Sequence, residues 1–434
     1  MAVGSNPLRA VSGWSDPEVV EQLQMLDDTP ALKAPAELWD DDGLRELGST
    51  APVLAGETAA TCCESDCAQG CWYTPRIWAQ MDALLWWSQG QQTPALVTTS
   101  PDGTPRQQAG VLGQPWTRVL HGGERLDDNG RLGGRFNIGM WIDECQCTAI
   151  EATWLILGDG GNTGDFYARS TGDPVSPILA RPFFNTLTNL QDAELVAFPD
   201  VITGDIQVQT SSELNSVSIL ARRNYCRGLG GSYSILGGYR FLRFREGLLV
   251  TEGLTSIDDG GVVPVGTEFN LFDSFATDNE FHGGEVGLSM LYDCGPWTLD
   301  VLTKLAIGNM RQTVMIDGST TTISPVDPPL VQEGGLLALP TNIGRSQRDE
   351  LTLIPELNLN LRYYWNPCFS VSVGYSLMWI TDVARTGDQI DFRVNTSQLP
   401  SGGGNVLGDP YPRRRLHDSS MWFQGLNVGV AWQY

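Results

Sequence analysis

No stretch of the chain reaches 18 consecutive apolar residues, so no segment can cross a membrane as a helix. The candidate run Ala83-Leu84-Leu85-Trp86-Trp87 is far too short. Charge is scarce as well: Asp, Glu, Lys and Arg make up 18% of the residues, against about 25% in an average soluble domain. Lys33 and Lys304 are the only lysines, and the net charge of −24 excludes nucleic acid, whose phosphates need clustered positive charge. The three histidines, His121, His282 and His417, form no H-E-x-x-H, and no G-x-S-x-G occurs, so zinc-protease and hydrolase-elbow chemistry lack their parts. The first residues also lack a basic segment followed by an apolar one, the mark of an export leader. That lack is the strongest feature against an exported protein; a mis-assigned start or a removed leader would account for it, as would a cytoplasmic protein, and residues 1–60 are in doubt as native mature sequence.

What is present is a pattern. Residues 1–71 are rich in Asp, Glu, Pro, Ala and Thr and carry a net charge of −10, which reads as an acidic, largely disordered N-terminal arm. From residue 72 onward the chain reads as one domain. Apolar and polar residues alternate with period 2 in Ile77–Trp87, Leu132–Ile142, Thr148–Leu157, Trp297–Asn309, Leu351–Trp365, Phe369–Trp379 and Trp422–Tyr434. Ser232–Phe244 and Phe281–Tyr292 alternate less cleanly, and Ile206–Ala221 changes parity, so its faces are unassigned. Ten strands result, with twelve the next choice. Most have the length that an oblique bilayer crossing needs, about 9–11 residues.

The connections alternate short and long: 143–147, 224–231, 293–296 and 366–368 are short, while 88–131, 158–205, 245–280, 311–350 and 380–421 are long. Short turns on one rim and long loops on the other are the mark of an up-and-down antiparallel transmembrane β-barrel in the bacterial outer membrane. Trp141, Tyr292, Trp297, Tyr363, Tyr364, Trp365, Trp432 and Tyr434 lie by the short turns, and Trp86, Trp87, Trp379 and Trp422 at the opposite strand ends, as two interfacial girdles would require. At the terminus, Leu426, Val428, Val430, Trp432 and Tyr434 make one apolar face, as a strand that closes the barrel should. Val430, Trp432 and Tyr434 also resemble the C-terminal signal read by the outer-membrane assembly machinery.

Several blocks carry a family resemblance. Trp-Ala-Gln-Met-Asp-Ala-Leu-Leu-Trp-Trp at 78–87, Gly-Gly-Glu-Arg-Leu at 122–126 and Leu-Gly-Gly-Tyr-Arg at 236–240 resemble the putative beta-barrel porin-7 family. So do Ala-Glu-Leu-Val-Ala-Phe-Pro at 193–199, Phe-His-Gly-Gly-Glu-Val-Gly-Leu at 281–288 and Val-Asn-Thr-Ser-Gln-Leu-Pro at 394–400. The resemblance covers about residues 72–434. It implies an outer-membrane barrel and no particular substrate.

The strand faces opposite the apolar ones carry Asp82, Arg135, Glu151, Asp300, Lys304, Glu356 and Arg362. In a barrel these face the lumen and pair, because an unpaired buried charge is costly. Ten strands leave little bore, so the lumen should be narrow or plugged. Of nine cysteines, Cys145, Cys147, Cys226, Cys294 and Cys368 fall in the short turns, and Cys62, Cys63, Cys67 and Cys71 precede the first strand. All nine should face an oxidising periplasm, and disulfides between the cluster and the turns would tie the arm under the barrel. Nine is odd, so at least one has no intramolecular partner. Unpaired turn cysteines, or a soft-metal site at Cys62, Cys67 and Cys71, are the alternatives, although Cys-x3-Cys-x3-Cys matches no standard zinc pair.

His282 is the one candidate base for a wall-borne Ser–His pair, with a girdle or loop role simpler. Asp127-Asp128-Asn129-Gly130 and Gly158–Asp165 resemble calcium loops but read more simply as a turn and a flexible outer loop. Arg413-Arg414-Arg415 could meet anionic lipid headgroups; a solvated loop is the simpler reading. The expectation is a non-enzymatic, cofactor-free outer-membrane barrel, partnered by outer-membrane lipid and the assembly machinery. Its role would be structural or a restricted passage for small solutes. Long loops that bind a surface ligand are the alternative, and a soluble all-β protein stands behind both.

Overall fold

The computed structural model describes residues 76–126, 128–158, 164–228, 231–400 and 406–434, with the side chains of 226–228 not described. The alternating segments become a wall of ten antiparallel strands. These are β1 (Ile77–Ser88), β2 (Gly130–Trp141), β3 (Thr148–Leu157), β4 (Ile202–Gly228), β5 (Gly231–Ser256), β6 (Glu268–Cys294), β7 (Trp297–Ile323), β8 (Gly344–Asn366), β9 (Phe369–Ala384) and β10 (Asp418–Gln433). Each pairs with its chain neighbour, and β10 pairs with β1 in the register Met81↔Val430, which closes the barrel. Backbone bonds between Ile77 and Tyr434, 2.8 Å in each direction, seal that seam at the last residue. Two short strands flank the wall: Phe166–Ser170 on β4 and Leu330–Glu333 on β7.

Around the short-turn half, side chains facing away from the bore are apolar and exposed: Ile138, Ile219, Val286, Leu351, Val373 and Val428 among them. A continuous exposed apolar belt is stable only in hydrocarbon. The closing strand follows suit, with Trp432 and Tyr434 exposed.

The girdle expectation needs correcting at three positions. Trp86 is fully buried inside the bore, where its Nε1 donates to Asn427 Oδ1 at 2.8 Å. Trp141 and Tyr364 also turn inward, Trp141 against Trp78 with 5.1 Å between ring centroids. Parity decides this: all three occupy positions of the inward set, and position along a strand does not override it.

The larger difference is strand length. β4 to β7 run 26–27 residues, more than twice what a bilayer crossing takes. The long connections expected at 245–280 and 311–350 shrink accordingly to 257–267 and 324–343. The parity of β4 does not change over the segment 206–221: even-numbered residues face inward from Gly204 to Asn224, and what changes is the chemistry of each face. Outward residues pass from Asp205, Gln207, Gln209 and Glu213 to Val217 and Ile219; inward ones pass from Ile206 and Val208 to Ser216 and Ser218.

Beyond the belt, then, the wall inverts and becomes one layer of a water-soluble head. Its second layer comes from the long connections. Leu190–Ala197, Ile178–Asn185, Ala95–Ser100 and Arg118–Gly122 form a sheet in that order, with Arg393–Val394 added in parallel to Ile178–Asn185. Leu96, Leu179, Phe183 and Val196 from this sheet meet Ile206, Val250, Leu254, Phe275 and Ile316 from the wall in one buried core. Each such side chain contributes about 1.5–3 kcal/mol on burial.

Candidate functional site

Inside the belt the bore has two levels. Nearer the head lies an apolar layer to which every strand but β2 contributes; Leu84, Trp86, Leu242, Phe244, Phe281, Met310, Ile354, Met378 and Phe423 are all 0–1% exposed. Phe244 and Phe423 meet edge to face at 5.6 Å across the bore. Below this layer, toward the short turns, most inward positions are charged or polar, and they surround a cavity of about 300 Å³.

Asp82, Arg135, Glu151, Asp300, Lys304, Glu356 and Arg362 all line this one chamber. Strand pairing brings them together from β1, β2, β3, β7 and β8. Arg135 binds Asp82 at 2.8 Å and donates to Asn358 Oδ1 at 2.6 Å. Glu356 receives Arg240 at 2.7 Å and Lys304 at 3.3 Å, and Glu285 receives the same two cations at 2.9 and 3.5 Å. Glu151 pairs with Arg222 at 3.0 Å. Arg362 sits 3.6 Å from Asp300 and donates to Gln80 Oε1 at 2.9 Å. Gln80 in turn donates to Asp82, which links the two groups. Such pairs are held by mutual compensation, and loss of one member strands its partner at a cost of about 3–5 kcal/mol.

Sequence reading missed three members of the network, Arg222, Arg240 and Glu285. Arg240 follows Gly237 and Gly238, whose missing side chains blur the alternation of β5. The available signal was its even parity with Leu236 and Leu242.

At the short-turn mouth stand Trp78, Trp141 and Tyr364. Trp78 is fixed by its Nε1 bond to Asn137 Oδ1 at 3.0 Å, and Asn137 donates onward to Thr153 at 2.8 Å. Gly139 leaves the indole its seat: a Cβ there would fall 1.9 Å from the ring of Trp78.

A second charged cluster ties the head's two layers together. Arg181, on the inner sheet, bridges Glu252 of β5 and Asp273 of β6, the latter at 2.7 Å. Asp273 also accepts the backbone N–H groups of Leu336, Leu337 and Ala338. Glu194 of the inner sheet lies beside them. Burial pushes its carboxyl up to about 8, Glu252 and Asp273 push the same way, and Arg181 opposes them. Burial likewise raises Glu252 despite its bond to Arg181.

The other sequence candidates lie elsewhere. His282 is on the outer face at the belt's edge, its Nδ1 2.5 Å from Tyr239 Oη and its ring 5.0 Å from Phe241. Arg413 and Arg415 are engaged within the last long connection, Arg413 with Asp409 at 3.1 Å and Arg415 with buried Asp391 at 3.2 Å. Arg414 donates to the Ile343 carbonyl. Asp127 and residues 159–163 lie outside the described residues, as do Cys62, Cys63, Cys67, Cys71 and the rest of the arm; the side chain of Cys226 is likewise not described. Cys145 is disulfide-bonded, and Cys147 is buried beside it. Cys294 and Cys368 carry exposed free thiols in their turns.

No curated protein matches the chain. Among solved structures, the outer membrane protease OmpT from Escherichia coli is similar at 10% identity, covering 84% of this chain and 99% of that one with a TM-score of 0.40. A Pseudomonas aeruginosa FadL homologue is similar at 9% identity, covering 83% and 90% with a TM-score of 0.21. The Pseudomonas putida toluene transporter TodX is similar at 8% identity, covering 83% and 90% with a TM-score of 0.20. Scores this low carry no argument. Residues 78–434, from the first wall strand to the closing one, match the family described as putative beta barrel porin-7, and the chain belongs to that family.

Proposed function

We propose that the protein is an outer-membrane barrel closed to through-flow: a rigid wall that carries a folded head outside the cell and a blind polar chamber open toward the periplasm. The apolar layer between chamber and head carries this reading. Leu242, Phe244, Phe281 and Phe423 fill the bore with groups that neither ions nor polar solutes can traverse without losing their hydration. The role is that of a non-enzymatic platform; the His282–Tyr239 pair faces lipid, away from the chamber. Planar-bilayer recording of the full chain should give no steady open-channel conductance, while Phe244→Ala with Phe281→Ala and Phe423→Ala should introduce one. Stepwise ohmic conductance in the unaltered protein would refute closure.

Two further roles belong to the same proposal. Val430, Trp432 and Tyr434 form the assembly signal, so that Tyr434→Ser lowers the yield of heat-modifiable barrel in cells; an unchanged yield would remove that role. In the oxidising periplasm the exposed thiols of Cys294 and Cys368 are oxidised to disulfides with cysteines of the N-terminal cluster, and peptide mapping without reductant that returned both as free thiols would remove that pairing.

A second reading, a head that engages a surface partner, is favoured by Val262, Val326 and Val331, which stand exposed on the tips after β5 and β7. Serine at all three positions should abolish such binding, and retained binding would count against this reading.

A further inference from the structure

We infer that the chamber is a binding site for a neutral saccharide ring, entered from the short-turn rim between Trp78, Trp141 and Tyr364. Three observations converge on that chemistry. The first is charge. Each cation of the chamber already has a carboxylate partner: Arg135 has Asp82, Arg222 has Glu151, Arg362 has Asp300, and Lys304 shares Glu356. A charged solute would have to displace one of these pairs; the remaining lining carboxylate, Asp293, stands exposed at the rim and accepts from Thr298 at 2.6 Å, so within the rim the wall offers hydrogen bonds without a net countercharge.

The second is the kind of polar group. Asn137, Asn224, Asn358, Asn360 and Gln80 line the cavity with amides beside the paired carboxylates and guanidinium groups, all but Asn360 oriented by hydrogen bonds to wall partners. These planar groups give and take hydrogen bonds side by side, which matches vicinal hydroxyls that do the same.

The third is the mouth. Indole rings are costly to leave among charges and water, yet Trp78 is placed there deliberately: Asn137 fixes its N–H, and Gly139 surrenders a side chain to seat its ring. An aromatic plate beside a field of amides recognises a molecule with C–H faces and a hydroxylated rim. A sugar ring has that shape. The volume of about 300 Å³ lies at the lower end of ligand pockets and limits the guest to one or two rings.

This site does not depend on closure of the bore, since binding is read by titration and closure by conductance. The test is isothermal titration of the full chain in detergent with N-acetylglucosamine and sucrose, with glucuronate and glucosamine as charged counterparts. Saturable binding of at least one neutral sugar, tighter than either charged one, is expected. Trp78→Leu should weaken it by about tenfold, which is roughly 1.4 kcal/mol. Ser289→Phe, which fills the chamber from β6, should abolish it, and heat-modifiable migration shows whether each variant still closes its barrel. Absence of binding by both neutral sugars, tighter binding of a charged one, or full affinity in a folded Ser289→Phe variant would each overturn the assignment.

Discussion

The belt and the head are built from the same strands, yet they bury opposite faces. On β4, inward residues keep even numbers from Gly204 to Leu220, but the outward face is polar from Asp205 to Asn215 and apolar at Val217, Ile219 and Ala221. Parity is a property of the backbone; which parity must be apolar is a property of the medium. In the belt the solvent is hydrocarbon, and the interior can hold charges provided they pair. In the head the solvent is water, and the wall becomes one sheet of a sandwich closed by Leu96, Leu179 and Phe183. One continuous ladder of hydrogen bonds, from Ile202↔Ser256 to Gly228↔Gly231, runs through both regimes.

The sharpest test of that comparison removes one buried cation from each region. Arg240→Ala would leave Glu285 and Glu356 in the belt to share Lys304, one positive charge for two carboxylates, and Arg181→Ala would strand Glu252 and Asp273 in the head. Each should cost about 3–5 kcal/mol. The readouts should separate: Arg240→Ala lowers the temperature at which heat-modifiable migration is lost, and Arg181→Ala mainly speeds amide exchange at 178–197.

The head's cluster also brings a pH dependence. Glu194 has its folded value raised to about 8, above the 4.5 of a free glutamate, so the folded head holds a proton that the unfolded one has released. Its contribution is complete below pH 4.5 and is lost as pH rises through about 8. Exchange at 178–197 should therefore accelerate across that window, and Glu194→Gln should flatten the slope. A slope unchanged in that variant would show that Glu194 is not its source.

A smaller effect separates the two media on a single strand face. Ile219 and Gln209 both point outward from β4. Ile219→Lys should cost about 2–4 kcal/mol if the residue sits deep in hydrocarbon, less toward the interface. Gln209→Lys, on the water side, should stay within about 0.5 kcal/mol. Equilibrium unfolding from lipid vesicles in denaturant measures both, and equal costs would erase the boundary drawn between them.

That boundary also explains what could be read from sequence. Stretches of strand lying in the belt were legible: the outward leucines of β8 from Leu351, interrupted only at Pro355, and the terminal face of β10 alternate, and ten strands closed by the last follow from them. The extensions of β5, β6 and β7 were not. Their outward residues turn polar at Arg243, Glu280 and Asn309, so the alternation reads as ending there. The inner sheet was hidden for another reason. Ile178–Asn185 is buried on both faces and so has no alternation, and Arg181 and Pro182 interrupt its apolar run. The chamber's lining follows from parity on the belt strands alone; its guest chemistry needed the indole of Trp78 beside Gly139, a contact between strands that no single segment displays.

The smallest expected effect lies at the seam itself. Arg243 is the first polar outward residue of β5 above Phe241, and it binds Asp278 at 2.5 Å and Glu280 at 3.2 Å on β6. About a third of each of these side chains is exposed, which makes the cluster a surface one, worth roughly 0.2–1 kcal/mol. Arg243→Ala should therefore cost less than about 1 kcal/mol in vesicle unfolding, and high salt should screen most of that away. A larger, salt-insensitive loss would mean that hydrocarbon reaches Arg243 and that its acidic partners are left desolvated. The water line would then lie one outward residue nearer the head on β5, and Arg245, not Arg243, would be the first residue of the inverted wall.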